Sequence, residues 1–144
     1  MSSLQTGHIG INVTDLARST AFYEQALGLE TTYKAEDHAF LGTGDRTLVT
    51  LWQQSTDTFA TDRPGLHHLS FQLDTLAEVL ATEATLKSLG THFTHEGVVP
   101  HHEGSASGGI FFTDPDGTRL EIYTAQAMTE AVAAPSEAPT CGFF

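Results

Sequence analysis

The sequence predicts an α+β fold built from two tandem β-α-β-β-β modules. The main observation is an internal repeat, in which HIGINVTDLA (residues 8–17) aligns with HLSFQLDTLA (residues 68–77). In both segments apolar and polar residues alternate, as in a strand with one buried face. Each segment then leads into a stretch with helical periodicity and, after it, into several short extended runs.

The first module reads as a strand, a helix and three extended runs. Asp15 has the chemistry of a helix N-cap and Gly28 that of a C-terminal stop, which predicts a helix over LARSTAFYEQAL. The extended runs that follow are LETTYKA, HAFLG and RTLVTLWQQ, with Gly42, Gly44 and Asp45 as turn residues between them.

The second module repeats this order. Thr75 precedes a predicted helix over LAEVLATEATLKSL, and Gly90 ends it. The extended runs are THFTHEGV, GGIFFT and TRLEIYT, and the Asp-Pro-Asp-Gly sequence before the last run predicts a turn. The apolar residues of the helix are expected on one buried stripe: Leu76, Val79, Leu80, Leu86 and Leu89.

The length is that of one domain with a core of its own. The predicted domain covers residues 1–125. An Ala/Pro-rich tail follows it and is expected to be partly disordered. We hypothesise that the last two residues of the tail, Phe143 and Phe144, fold back over a pocket rim. The parts are module one at 7–53, a polar linker at 54–64, module two at 65–125 and the tail at 126–144.

Composition limits the partners that we expect. Six Lys and Arg face 18 Asp and Glu, a net charge of −12, which argues against nucleic acid and against anionic membranes. The chain has no apolar run near the ~20 residues of a membrane span and no signal-peptide pattern at its start. Cys141 is the only cysteine, so no internal disulfide forms, and a cytoplasmic location is expected.

The repeat also pairs four polar positions. His8 aligns with His68 near the starts of the first strands, and Thr50 aligns with Glu121 in the last strands. If these polar faces form the concave side of the folded sheets, two imidazoles and one carboxylate converge, a set that suits Fe(II), Mn(II) or Zn(II). Taken singly, each of these residues is better explained by a solvated or structural role; their coincidence under the repeat favours a metal site.

Three segments, GHIGINVTDLARSTAFYEQALGLE, GLHHLSFQL and GGIFFTDPDGTRLEIY, resemble the vicinal oxygen chelate superfamily of glyoxalases, bleomycin-resistance proteins and extradiol dioxygenases. The resemblance covers residues 7–125 and implies a cupped eight-stranded mixed sheet, a homodimer and a bound metal. Carried over by position, the metal ligands are His8, His68 and Glu121, with Fe(II) or Mn(II) favoured and Zn(II) or Ni(II) as alternatives. His67 is less favoured than His68, because strand alternation would place it on the core side.

Differences from the superfamily pattern bear on the reaction. Glyoxalase I and methylmalonyl-CoA epimerase have a four-ligand pattern, with Glu or Gln at the position where this chain has Thr50. This difference weakens the assignment of the chain to either enzyme. Fosfomycin-type enzymes would need cations for a phosphonate, and no Lys or Arg follows Glu121. Extradiol dioxygenases have a pocket histidine at the position of His102, here an acid–base candidate, and a tyrosine where this chain has Phe111. An exposed loop residue is the alternative interpretation of His102.

The resemblance therefore implies a metal-dependent enzyme that acts on a small molecule chelated through vicinal oxygens, as an extradiol-type dioxygenase or as a lyase or isomerase. The alternative is a non-catalytic drug-binding protein of the bleomycin-resistance type. The remaining histidines (38, 92, 95 and 101) are expected at the surface. The predicted pocket residues are Thr50, Trp52, Phe111 and Tyr123, with plain packing as the alternative for Trp52 and Tyr123.

Overall fold

The computed structural model describes residues 2–130, which divide into two compact units between Thr58 and Phe59. Each unit has a four-stranded mixed sheet and a long helix in the order β-α-β-β-β. The α+β class and the two repeated modules are therefore confirmed. Within the described residues, no helix is both long and apolar enough to cross a membrane.

The first unit has the strand order β1-β4-β3-β2, with β1 parallel to β4 and the other neighbours antiparallel. Its elements are β1 (Ile9–Val13), α1 (Leu16–Leu27), β2 (Glu30–Lys34), β3 (His38–Thr43) and β4 (Arg46–Gln53). Helix α1 begins and ends where the sequence predicts. The Asp15 side chain accepts a hydrogen bond from the Arg18 N–H, and Gly28 ends the helix at φ 65°, a left-handed conformation that glycine adopts without strain.

The second unit has the corresponding order β5-β8-β7-β6. Its elements are β5 (Leu69–Gln72), α2 (Leu76–Ser88), β6 (Val99–Pro100), β7 (Gly108–Thr113), β8 (Arg119–Thr124) and the short α3 (Ala127–Glu130). The strand register confirms the repeat, because Gly10 pairs with Thr50 in the first unit as Ser70 pairs with Glu121 in the second. Thr75 caps α2 in a reciprocal pair of hydrogen bonds with Glu78.

Two predictions for the second unit are wrong. The run at 91–98 is not a strand: Phe93 forms an isolated bridge, the chain bends over residues 94–97, and Gly97 takes a left-handed φ of 72° that an extended strand does not allow. The apolar stripe of α2 is also narrower than expected, since Leu80 and Leu89 are 45% and 40% exposed. Glu83 is buried on this helix instead.

Alternation along the strands separates core from site. Helix α1 packs on β3 and β4, where Leu41, Val49 and Leu51 are fully buried. Thr50 lies between Val49 and Leu51 and so points to the opposite face of β4. Glu121 has the same place in β8, on which α2 packs. The sheet face away from the helix is therefore the one that carries the predicted site residues.

The helix α3 lies inside the predicted tail. Residues 131–144 are outside the described part of the chain, and with them Cys141 and the hypothesis that Phe143 and Phe144 fold back over a pocket.

Candidate functional site

Glu121 is the centre of the candidate site in the second unit. It lies in β8 between Ser70 of β5 and Phe111 of β7, and it is 3% exposed. The Ser70 hydroxyl donates a 2.6 Å hydrogen bond to Glu121 Oε1, and His101 Nε2 lies 3.3 Å from the same oxygen. Burying a carboxylate is costly unless donors or charges compensate, and Ser70 and His101 are the groups placed to do so here.

His101, expected at the surface, is in fact a member of this site. Its ring is partly buried and contacts Phe111 and Tyr123 edge-on, with centroid distances of 6.2 and 5.1 Å. Its Nδ1 lies 2.6 Å from the Ser107 hydroxyl. The sequence offered a weak signal, the adjacent pair His101 and His102. Strand alternation could not choose between them, because β6 is only two residues long and ends before both.

His68 lies immediately before β5 and is half-buried. Burial keeps the pKa of His68 below its ordinary value. The Glu121 carboxylate raises this pKa, whereas His67, Arg119 and His101 lower it further. The neutral imidazole is therefore favoured, and that is the form that binds metal ions. His68 and His101 both lie within electrostatic range of Glu121.

His67 does not face the core, contrary to the expectation from alternation. It is exposed, its Nδ1 lies 2.8 Å from His68 Nδ1, and its Nε2 lies 3.5 Å from a guanidinium nitrogen of Arg119. The reason is that β5 begins only at Leu69, so the two-residue period of a strand does not extend back to position 67.

The equivalent position in the first unit has different chemistry. Thr50 replaces Glu121 and is likewise 3% exposed, and its hydroxyl accepts a 2.9 Å hydrogen bond from the Trp52 indole N–H. Gly10 occupies the place of Ser70, so no side chain from β1 reaches Thr50. A Cβ at Gly10 would lie 3.3 Å from the Thr50 hydroxyl, so there is little room for a side chain at position 10 of β1.

Aromatic rings cover the same face of the first unit. His38 stacks on Trp52 with centroids 4.7 Å apart and planes 15° apart, and Tyr33 and Phe40 pack beside it. Asp37 holds His38 through a 2.7 Å contact, and this hydrogen bond lowers the pKa of the Asp37 carboxyl. The expectation that His38 is a surface residue is therefore wrong, because stacking leaves only 23% of its side chain exposed.

The other predicted site residues have varied surroundings. His102 is exposed and its Nδ1 lies 3.1 Å from the Glu103 carbonyl, so His101 and not His102 faces Glu121. Phe111 is fully buried, and the Tyr123 hydroxyl donates a 3.0 Å hydrogen bond to Gln72. The roles assigned to these residues remain predictions.

A metal ion would find suitable donor types in the second unit. The buried Glu121 carboxylate and the His68 imidazole are of the types that Fe(II) and Mn(II) accept. In the part of the chain that the structure describes, no three His, Cys, Asp or Glu side chains are already arranged to enclose an ion. His8 is exposed just before β1 of the first unit, and its assignment as a ligand rests on the repeat.

Residues 5–122 match the Glyoxalase/Bleomycin resistance protein/Dioxygenase superfamily. The chain belongs to this superfamily. Over 126 residues it is 30% identical to a probable trivalent organoarsenical cleaving enzyme of Bacillus subtilis. The alignment covers 85% of this chain and 82% of the relative.

Solved structures share the fold. A glyoxylase/bleomycin resistance protein/dioxygenase domain from Frankia sp. EAN1pec aligns with a TM-score of 0.70 and 24% identity, over 86% of this chain and 99% of that one. A mutant of the fosfomycin resistance protein FosX from Listeria monocytogenes aligns with a TM-score of 0.62 and 23% identity, over 85% and 90% of the two chains. That structure is a complex with Mn(II) and 1S,2S-dihydroxypropylphosphonic acid.

Proposed function

We propose that this superfamily member is a metal-dependent enzyme that binds a small molecule through two adjacent oxygens. The observation that carries the proposal is the environment of Glu121. Its carboxylate is buried, and in the described residues its contacts are a hydroxyl and an imidazole, with no Lys or Arg in the ion-pair position. Buried charges in proteins are paired or coordinate metals, so a buried carboxylate with no Lys or Arg partner suits a metal ligand.

The proposed ligands are His8, His68 and Glu121. The neutral state favoured for His68 supports this assignment, and the repeat supports the pairing of His8 with His68. Thr50 supports a three-ligand pattern, because its hydroxyl is buried and already accepts the Trp52 N–H. Fe(II) or Mn(II) is favoured over Zn(II) or Ni(II), since two nitrogens and one carboxylate with open positions suit these ions, and the FosX complex with Mn(II) agrees.

Such an ion would supply Lewis-acid polarisation of the two substrate oxygens. The reaction class that we propose is extradiol-type oxidation or a lyase or isomerase reaction. His102 is the proposed acid–base group because its position matches that of the pocket histidine of extradiol dioxygenases. Phe111 offers no hydrogen bond, in contrast to a tyrosine at this position. Trp52 and Tyr123 would border the apolar part of the substrate.

The substrate named for the Bacillus subtilis relative does not transfer easily. Trivalent arsenic is a soft centre that prefers thiolate ligands, and this chain has a single cysteine, Cys141. A thiol pair within one chain is therefore impossible.

The second candidate function is a non-catalytic binder of cationic aromatic molecules. Two observations favour it: the cluster of aromatic rings around Trp52 and the net charge of −12. Metal dependence separates the two functions, because stacking on Trp52 needs no metal ion.

The test compares catechol with phenol, which differ by one adjacent oxygen. Trp52 is the only tryptophan, so its fluorescence reports binding near this residue, and calorimetry provides a second measurement. With Mn(II) bound, catechol is expected to bind at least about tenfold more tightly than phenol, a difference of about 1.4 kcal/mol, and chelation should abolish the difference. Equal affinities with Mn(II) bound would contradict vicinal oxygen binding. A cationic aromatic dye that binds equally with and without metal would support the second candidate.

A further inference from the structure

We propose that His101, held by Ser107, is a positioning residue that orients the Glu121 carboxylate for its ligand. The inference rests on the proposed metal-binding role of Glu121. It assigns a role to two residues, His101 and Ser107, that neither the repeat nor the superfamily match identifies.

The contacts around the ring fit one arrangement of the hydrogens, which we assign as follows. His101 Nε2 lies 3.3 Å from Glu121 Oε1, and because an ionised carboxylate can only accept, we assign the ring hydrogen to Nε2. A neutral imidazole then has Nδ1 as its acceptor, and the Ser107 hydroxyl at 2.6 Å donates to it. The Ser107 oxygen is in turn 3.0 Å from the Ser105 hydroxyl, which can donate. The assigned donors are thus Ser105, Ser107 and His101, and Glu121 is the final acceptor.

Ser70 and His101 both contact the same oxygen of the carboxylate. Ser70 Oγ and His101 Nε2 approach Glu121 Oε1 at 2.6 and 3.3 Å. Two contacts on Oε1 restrict the rotation of the carboxylate, and we assign the other oxygen, Oε2, to the metal ion. Hydrogen bonds of this kind to a ligating group typically change metal affinity by about 10- to 100-fold when they are removed.

The loop between β6 and β7 is built to hold the ring in place. The His101 N–H donates to the Ser107 carbonyl at 3.1 Å, and the Ser105 N–H donates to the His102 carbonyl at 3.0 Å. The loop is anchored further by the Met128 N–H, which donates to the Ala106 carbonyl at 2.9 Å.

These backbone hydrogen bonds bring Ser107 back beside His101. The contact between the two side chains is therefore set by the backbone of the loop as well as by the side-chain rotamers. Phe111 and Tyr123 pack against the ring from the strands.

The first experiment measures Mn(II) affinity of chelator-stripped protein by calorimetry, without any substrate. His101→Leu is expected to weaken binding by about 10- to 100-fold, and Ser107→Ala by a smaller factor. Ser107→Thr keeps the hydroxyl and should restore the wild-type affinity. His92→Leu is the matched control, because His92 is exposed and its side chain lies outside the site; it should stay within about twofold.

The second experiment needs no metal. Nitrogen-15 NMR of the chelator-treated protein should show His101 as the Nε2–H tautomer, and Ser107→Ala should perturb its Nδ1 shift while Ser107→Thr does not. An Nδ1–H tautomer, or a ring protonated on both nitrogens at neutral pH, would overturn the proposed hydrogen-bond direction. The NMR measurement still tests the proposed hydrogen-bond direction if the His101→Leu variant fails to fold.

The two proposals fail in different ways. Wild-type protein that binds no Mn(II) would refute the proposed function, whatever the tautomer of His101. Wild-type protein that binds Mn(II) with the same affinity as His101→Leu would refute the positioning role alone.

Discussion

Replacing Glu121 with Gln is expected to leave the metal-free protein folded and to remove most of the stabilisation that a metal ion gives. Glutamine has nearly the same size, and its Oε1 can still accept the Ser70 hydroxyl. A hydrogen bond to a charged group contributes about 1.5–3 kcal/mol against about 1 kcal/mol for a neutral one, so some stability is lost. Loss of the charge also removes the cost of burying it, so the free energy of unfolding should change by less than about 1.5 kcal/mol.

The effect on the metal-bound state is much larger. Removing a residue that merely supports a ligand already costs about 10–100-fold in metal affinity, so removing the charge of Glu121 itself should cost at least about 100-fold. At a Mn(II) concentration of about 100 times the wild-type dissociation constant, the ion stabilises the wild-type protein by about 2.7 kcal/mol. The variant at the same concentration should gain only about 0.4 kcal/mol.

Urea unfolding with Mn(II) and with a chelator measures both quantities. Glu30→Gln is the matched control, because Glu30 is also a strand glutamate but is exposed on β2. The control should keep the full gain from Mn(II). A Glu121→Gln variant that gains as much from Mn(II) as the wild-type protein would refute the assignment of Glu121 as a ligand.

Three further predictions concern the fold and the assembly. Gly109→Ala would place a Cβ 2.3 Å from the Ile122 carbonyl, so urea unfolding should show a loss of about 1–3 kcal/mol or more. Gly7→Ala meets no atom within 4 Å and should change little; equal effects of the two would contradict the packing argument. Thr75→Ala removes the capping bond to the Glu78 N–H and should cost about 1 kcal/mol in thermal melts followed by circular dichroism, whereas an unchanged melting temperature would argue against the cap. A homodimer that covers open sheet edges predicts a light-scattering mass of twice 15.5 kDa, and a 15.5 kDa species alone at micromolar concentration would contradict it.

The sequence predicts the helices and the repeat well because their determinants are local. Asp15 and Thr75 satisfy helix N–H groups within three residues, so the helix starts can be read directly from the chain. Aligned positions of the two modules occupy equivalent register positions, and for that reason the central place of Glu121 in β8 follows from the place of Thr50 in β4.

The parts that the sequence does not predict depend on contacts between distant segments. His101 joins the site because the loop folds Ser107 back onto it and because Glu121 lies on another strand. The sequence pattern does not indicate that His101 faces Glu121, because β6 is too short to show an alternation of side chains. His38 is covered because Tyr33, Phe40 and Trp52 converge on it from three strands, which a single-strand pattern does not reveal.

The metal content of wild-type protein, purified without chelators and without a metal-affinity resin, tests the central claim most directly. Elemental analysis is predicted to find about one Fe or Mn ion per chain in the wild-type protein and far less in the His8→Gln, His68→Gln and Glu121→Gln variants. Wild-type protein that contains no stoichiometric transition metal, and takes up none on dialysis against Fe(II) or Mn(II), would contradict the account.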